Sequence, residues 1–207
     1  MLYYLLFAVF GYLLGSVLFA EVFGRLIKKQ DIYSGTSDGN PGTANAFREG
    51  GFLCGMLTLA GDVCKGILPV ALCLHYNTCQ DEIINEVGMS LVILAPVLGH
   101  MFPLYSHFKG GKGIAVTFGV MLGYLPVWYP VLVIGIFFIL FSAVIIISPD
   151  FYKTLLTYFC VLVCYFIHAP YFGLRAGFLL ITVFVFIRFH ISGEEREKFE
   201  VRFLWKH

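Results

Sequence analysis

Long apolar runs separated by short polar stretches limit this chain more than anything else in it. Leu2–Phe23, Leu91–Tyr105, Val127–Ile147, Leu155–Ile167 and Phe178–Ile187 hold almost no charge. A run of about 18 apolar residues is long enough to cross a bilayer as a helix, the conformation that satisfies every backbone N–H and C=O within one segment. Hydrophobic residues make up 59% of the 207 and charged residues only 13%. Mean hydropathy is +0.84. Such a composition rules out a water-soluble domain, and a net charge of +1 leaves no solvated basic face for nucleic acid.

The expected fold is therefore an all-α integral membrane protein, one membrane domain over 1–207. Seven transmembrane helices fit best, at about 2–24, 52–74, 87–105, 113–125, 127–147, 154–168 and 173–189. The fourth is short and contains glycine, so a tilted, half-buried or kinked helix is expected there. Pro126, Trp128, Tyr129 and Pro130 read as a tight turn with aromatics at the interface. Met1-Leu-Tyr-Tyr lacks the basic start of a cleavable signal, so the first run reads as a retained helix.

Charge sets the orientation. Arg25, Lys28, Lys29, Arg48, Lys109, Lys112, Lys153, Arg188, Arg196, Lys198, Arg202 and Lys206 fall on one side of this topology. The opposite loops, His75–Glu86, Pro126–Pro130 and His168–Phe172, hold no lysine or arginine, although Arg175 follows the last closely. The positive-inside rule then puts the N-terminus outside and the C-terminus in the cytoplasm. A loop over 25–51, a second over 106–113 and a tail over 190–207 meet on the cytoplasmic face.

Two of these segments carry chemistry. In Gly35-Thr-Ser-Asp-Gly-Asn-Pro-Gly-Thr-Ala-Asn-Ala-Phe-Arg48, glycine frees the backbone to curl so that successive N–H groups point at one spot. Ser37, Asn40, Thr43 and Asn45 add neutral donors, and Arg48 adds a planar charged fork suited to phosphate. A plain turn needs two to five such residues, and this stretch is longer. It is not a nucleotide P-loop, since no GxxxxGK[ST] is present. Lys109-Gly-Gly-Lys-Gly113 supplies a second glycine-rich turn with two cations, more than a membrane anchor requires. Phosphate or acyl-phosphate recognition is the reading of both.

Other polar residues have plainer readings. Glu21 and Arg25 sit one turn apart as a local pair, and Asp62 and Lys65 (i, i+3) either tie the second span or position the first loop. His100 and His107 near Pro103 read as packing residues before functional ones. Six cysteines show no CxxC pair, so neither a disulfide framework nor a metal site is expected. Mixed charge at helical spacing makes Glu195–Arg202 a solvated amphipathic end, while His190 and Glu194 lie at the membrane exit within reach of a polar substrate. The repeated carboxylates of a proton relay and the broken helices of a transporter are missing.

Gly39-Asn-Pro-Gly-Thr-Ala-Asn-Ala-Phe-Arg48 with Gly50-Gly51, Gly15-Ser16, Asp62-Val-Cys-Lys-Gly66, and Gly99-His-Met-Phe-Pro103 leading into Phe108-Lys-Gly-Gly-Lys-Gly-Ile-Ala115 occur in that order. This series resembles the bacterial acyl-phosphate:glycerol-3-phosphate acyltransferases over most of the first 125 residues. The resemblance implies seven helices, an outside N-terminus, and a site on the cytoplasmic side of a bacterial plasma membrane. It implies acyl transfer from acyl phosphate to the 1-hydroxyl of glycerol-3-phosphate, giving lysophosphatidic acid and phosphate, with no cofactor. Arg48, Lys109, Lys112, His190 and Glu194 would carry the catalytic roles. Ser37, Asp38, Gly39, Asn40, Gly42, Thr43, Asn45, Gly110, Gly111 and Gly113 would bind substrate. Four departures accompany the match. Asp38 stands where the family has serine unless Ser37 takes that place, Ala44 replaces a threonine, Gly193 replaces an asparagine, and the serine motif after the fifth helix is not evident at Ser142 or Ser148-Pro149. They leave open a relative with an altered acceptor or donor, or a non-catalytic phospholipid-binding or regulatory protein.

Overall fold

The computed structural model describes residues 1–28, 40–192 and 198–204. Helix α1 (Leu2–Gly15) leads into the short α2 (Phe19–Phe23) and a π-helical turn, Gly24–Lys28. Then come α3 (Thr43–His75), α4 (Glu82–Met101), α5 (Ile114–Leu122) and α6 (Tyr129–Ile139). A second π-turn, Leu140–Val144, leads to strand β1 (Ile145–Ser148), which is followed by α7 (Asp150–His168), α8 (Phe172–Ile191) and strand β2 (Glu200–Phe203).

Among the described residues, five helices are long and apolar enough to cross a membrane: Leu2–Ile27, Thr43–His75, Glu82–Ser106, Asp150–His168 and Phe172–Ile191. The shorter apolar helix Tyr129–Val144 stands beside them. At 1.5 Å per residue α5 is only about 14 Å long, so the expected fourth span reaches halfway. Large apolar side chains line the outside, among them Leu2, Phe52, Ile83, Ile139 and Ile167, each more than 60% exposed. A belt of that kind suits hydrocarbon rather than water.

Glycines set the directions of packing. A side chain at Gly15 would run into the backbone of Pro96, and one at Gly99 into the backbone of Tyr12 and Ser16. This bare crossing lets α1 and α4 run parallel in close contact. Tyr4 covers Gly88 at the far end of the same pair. Helix α8 also runs parallel to α4, with Gly173 beside Glu86, Gly177 beside Ile93, and Phe184 packed edge-on to Phe102 at 6.5 Å. Helix α3 runs antiparallel to α1, with the Tyr3 hydroxyl donating to the Cys73 carbonyl at 2.6 Å and Lys65 reaching Val17. One end of the bundle therefore gathers the start of α3, the 102–113 turn, β1 and the end of α8.

Two features depart from the sequence reading. Residues 43–50, within the expected 25–51 loop, are helical, and α3 reverses at Gly51 (φ +82°, ψ 179°), a left-handed conformation suited to glycine. The segment before Gly51 folds back on the one after it, so that Phe47 covers Gly55 and Thr43 reaches Asp62. Near the C-terminus, β1 pairs antiparallel with β2, Ile145 opposite Phe203 and Ser148 opposite Glu200. Residues 200–203, expected in an amphipathic helical end, are strand instead, because the edge left by the end of the fifth apolar run draws them into a ladder.

Candidate active site

The glycine turn after α4 is held from inside. Phe108 and Lys109 donate backbone N–H groups to the carbonyls of Pro103 and Ser106, at 2.9 and 3.0 Å. The Gly111 N–H donates to the His100 carbonyl at 3.0 Å. That amide is engaged within the fold, so Gly111 contributes room rather than an anion-binding donor. Gly113 (φ +79°) opens α5 in a left-handed conformation, while His107 and Phe108 hold φ of 50° and 62°, uncommon for residues with a side chain.

The last helix closes on this turn. Arg188 donates to the Gly110 carbonyl at 2.5 Å, and the Lys112 ammonium lies 5.0 Å from the ring centre of Phe189. His190, the next residue, is exposed. Lys112 and His190 thus lie at the same end of the bundle. Lys109 is exposed on the same turn.

The first loop enters from α3. Gly42 is the N-cap of that helix, and its N–H donates to the Asn40 carbonyl at 2.8 Å. The same carbonyl accepts from Asn45 Nδ2 at 2.9 Å. Asn45 is buried and Arg48 is exposed. Thr43 Oγ1 donates to Asp62 Oδ2 over a long 3.4 Å. Ser37, Asp38, Gly39 and Glu194 lie outside the described residues. Among those described, neither Arg48 nor Lys109 has a side-chain hydrogen bond or ion pair.

Between the two loops lies a buried group with only its Asp62–Lys65 spacing visible in sequence. Lys65 Nζ stands 2.9 Å from Asp62 Oδ1, 2.8 Å from His100 Nδ1 and 2.7 Å from the Val17 carbonyl. Asp62 and Lys65 are each 1% exposed and His100 3%. Removing these charges from solvent is tolerable only because they face one another. Contacts therefore run from Thr43 through Asp62, Lys65 and His100 to Gly111, which links the two loops. Glu21 is also drawn in, pairing with Arg25 at 3.9 Å and accepting from the Ser106 hydroxyl at 3.4 Å. Arg188 is a further site residue that the sequence does not mark, since a cation at the exit of the last helix gives no hint of its carbonyl partner.

Fold and site together define a helical integral membrane protein with a glycine-rich, cation-bearing polar cluster at one end of its bundle. The glycerol-3-phosphate acyltransferase family model matches residues 5–195, and the chain belongs to that family. Glycerol-3-phosphate acyltransferase of Cupriavidus metallidurans is 41% identical over 155 residues, 71% of this chain and 74% of that protein. The Cupriavidus necator protein of the same name is 44% identical over 123 residues, 59% of each chain. A crystal structure of PlsY (YgiH), an integral membrane glycerol 3-phosphate acyltransferase, in its glycerol 3-phosphate form, superposes with a TM-score of 0.69 at 26% identity, over 94% of this chain and 96% of that one. Its lysophosphatidic acid form superposes with a TM-score of 0.68 at 25% identity, over 93% and 94%.

Proposed function

We propose that this chain transfers a fatty acyl group from acyl phosphate to the 1-hydroxyl of glycerol-3-phosphate, on the cytoplasmic side of a bacterial plasma membrane. The observation that carries the reading is the closure of α8 on the glycine turn, through Arg188 to Gly110 and Phe189 to Lys112, at the end where the first loop enters. Family membership and the glycerol 3-phosphate bound in the PlsY relative support the choice of acceptor.

The hydroxyl oxygen of glycerol-3-phosphate attacks the acyl carbonyl carbon, and the bond from that carbon to the phosphate oxygen breaks. Phosphate leaves, and a phosphate oxygen takes the hydroxyl proton. The products are lysophosphatidic acid and inorganic phosphate. The donor already carries a good leaving group, so no covalent nucleophile is needed. Arg48, Lys109 and Lys112 hold phosphate and stabilise charge developing in the transition state. Asn45, His190 and Glu194 orient the acceptor hydroxyl toward the carbonyl, while Ser37, Asp38, Gly39, Asn40, Gly42 and Thr43 shape the first loop around the ligand and Gly110 and Gly113 shape the second. The acyl chain lies between helices within the bilayer. Phosphate release by purified protein given palmitoyl phosphate, with and without glycerol-3-phosphate, tests this. Acceptor-dependent release with lysophosphatidic acid formed is the expected result, and no turnover with acyl phosphate still bound defeats it.

A further inference from the structure

A cavity of about 170 Å³ lies at the end of the bundle away from the glycine turn. It opens between the last turn of α3, the first turns of α4, the α5–α6 turn and the residue ahead of α8, with Asn85, Glu86, Met89, Tyr124, Val127 and Tyr171 in its wall. Glu86 and His100 are fourteen residues apart on α4, about 21 Å at 1.5 Å per residue. The cavity is therefore no part of the site described above. About 150 Å³ is room enough for a benzene-sized molecule.

The polar atoms of the wall are only partly engaged by the fold. Glu86 Oε2 accepts the Gly173 N–H at the start of α8, and a side chain at position 173 would run into the Glu86 carbonyl. Glu86 Oε1 has no partner among the described residues. Asn85 Oδ1 accepts from the Tyr4 hydroxyl and from Asn77 Nδ2, both at 2.8 Å. Its Nδ2 remains a donor without a partner among the described residues. The Tyr124 hydroxyl likewise makes no hydrogen bond among them, and it faces open space although the residue is only 7% exposed.

A carboxylate oxygen beside aromatic rings suits a cation. The surrounding charges agree. Asp81, Glu82 and Glu86 lie at the start of α4, and Arg175 turns its guanidinium to the Pro170 carbonyl at 3.1 Å without pairing with Glu86. A divalent metal takes about six or more oxygen ligands, and among the described residues no three His, Cys, Asp or Glu side chains gather to hold one. An ammonium needs fewer acceptors and tolerates the apolar wall of Met89 and Val127.

We propose that this cavity binds an ammonium group, with Glu86 Oε1 as its counter-ion, the Tyr124 oxygen as a second acceptor, and Asn85 Nδ2 donating to an oxygen of the same ligand. An ammonium with an oxygen close by is the chemistry of an ethanolamine group. The wall residues lie within about two turns of a helix end, the depth of lipid headgroups, so the group belongs to an ethanolamine lipid or to a free amine. The inference stands apart from the acyltransferase reading.

Native mass spectrometry of the full-length protein in detergent tests it. The protein is titrated with phosphatidylethanolamine, phosphatidylcholine and phosphatidylglycerol of one chain length, and separately with ethanolamine hydrochloride. Wild type is expected to hold one phosphatidylethanolamine more tightly than the other two lipids, which identifies the lipid as the source, or one ethanolamine, which identifies the free amine. Glu86→Gln keeps an oxygen for Gly173 and is expected to weaken that binding about 10- to 100-fold, the scale of one hydrogen bond to a charged group. Tyr124→Phe is expected to weaken it about 2- to 10-fold. Binding that Glu86→Gln leaves unchanged overturns the proposal, as does the binding of neither amine, or of phosphatidylethanolamine no better than the other lipids when free ethanolamine does not bind. Should Glu86→Gln fail to fold, wild-type protein labelled with 13C-methyl methionine gives the answer. The Met89 resonance is expected to move on adding ethanolamine hydrochloride or phosphatidylethanolamine, while that of Met101, beside Gly113, stays in place. A Met89 resonance that moves with neither, or no more than that of Met101, overturns the assignment.

Discussion

Arg188 donates to the carbonyl of Gly110 at 2.5 Å across 78 positions of sequence, joining the last helix to the glycine turn. The guanidinium is half-buried and ties down a carbonyl of that turn. Arg188→Gln is expected to lower kcat/KM about 10-fold or more, given about 1.5–3 kcal/mol for a charge-assisted hydrogen bond. Arg188→Lys, without a planar fork, is expected to recover little of it. Steady-state kinetics in detergent check both.

Lys112 is expected to matter more than any other single cation on the turn, since it stands between the glycine backbone and the end of α8. Lys112→Ala should reduce kcat at least about 100-fold, the scale of removing one preorganised stabilising group. Full activity in that variant would show that phosphate is held elsewhere.

The α1–α4 crossing depends on bare backbone at Gly15 and Gly99. Gly15→Val forces the helices apart at Pro96, with an expected loss of about 1–3 kcal/mol from overpacking. Thermal melting of the purified protein in one detergent measures it.

Lys65→Met leaves the Asp62 carboxylate buried without its partner and is expected to destabilise the fold by about 3–5 kcal/mol. Joining Asp62→Asn to Lys65→Met should return part of that stability, because two neutral groups replace a lone charge. Melting of both single variants and the double completes the cycle.

Orientation has its own test. Cys79 lies in the loop between α3 and α4, at the end of the bundle opposite the glycine turn. In a variant with the other five cysteines changed to alanine, a membrane-impermeant maleimide should label Cys79 in intact cells. With Cys79 also replaced, a cysteine at position 109 should react only after the cells are opened.

Much of the bundle was legible from hydropathy, because an apolar stretch in lipid has few options besides helix. The span read at 52–74 matches the part of α3 beyond Gly51, and α8 (Phe172–Ile191) brackets the one read at 173–189. Hydropathy cannot tell an apolar strand from an apolar helix, so all of β1 but Ser148 falls within the fifth span as read at 127–147. The partner that makes it a strand lies more than fifty residues away. Residues 43–50 read as loop from their glycine and asparagine content, yet they form a helix that doubles back at Gly51. Motif spacing picked out the glycine turn and the Asp62–Lys65 pair. It gave no means of placing His100 between them, since that contact depends on how α3 and α4 cross.

The β1–β2 pairing also sets a timetable for synthesis. Ser148 faces Glu200 and Ile145 faces Phe203, so β1 leaves the ribosome well before its partner exists. At about 5–20 residues per second the wait is roughly 3–12 s. Throughout that interval the main-chain groups of β1 have no ladder to join, and a chain terminated before residue 200 never supplies one. A stop codon between the end of α8 and residue 200 should therefore yield a protein inserted in the membrane and removed by quality-control proteases, although every membrane-crossing helix is complete.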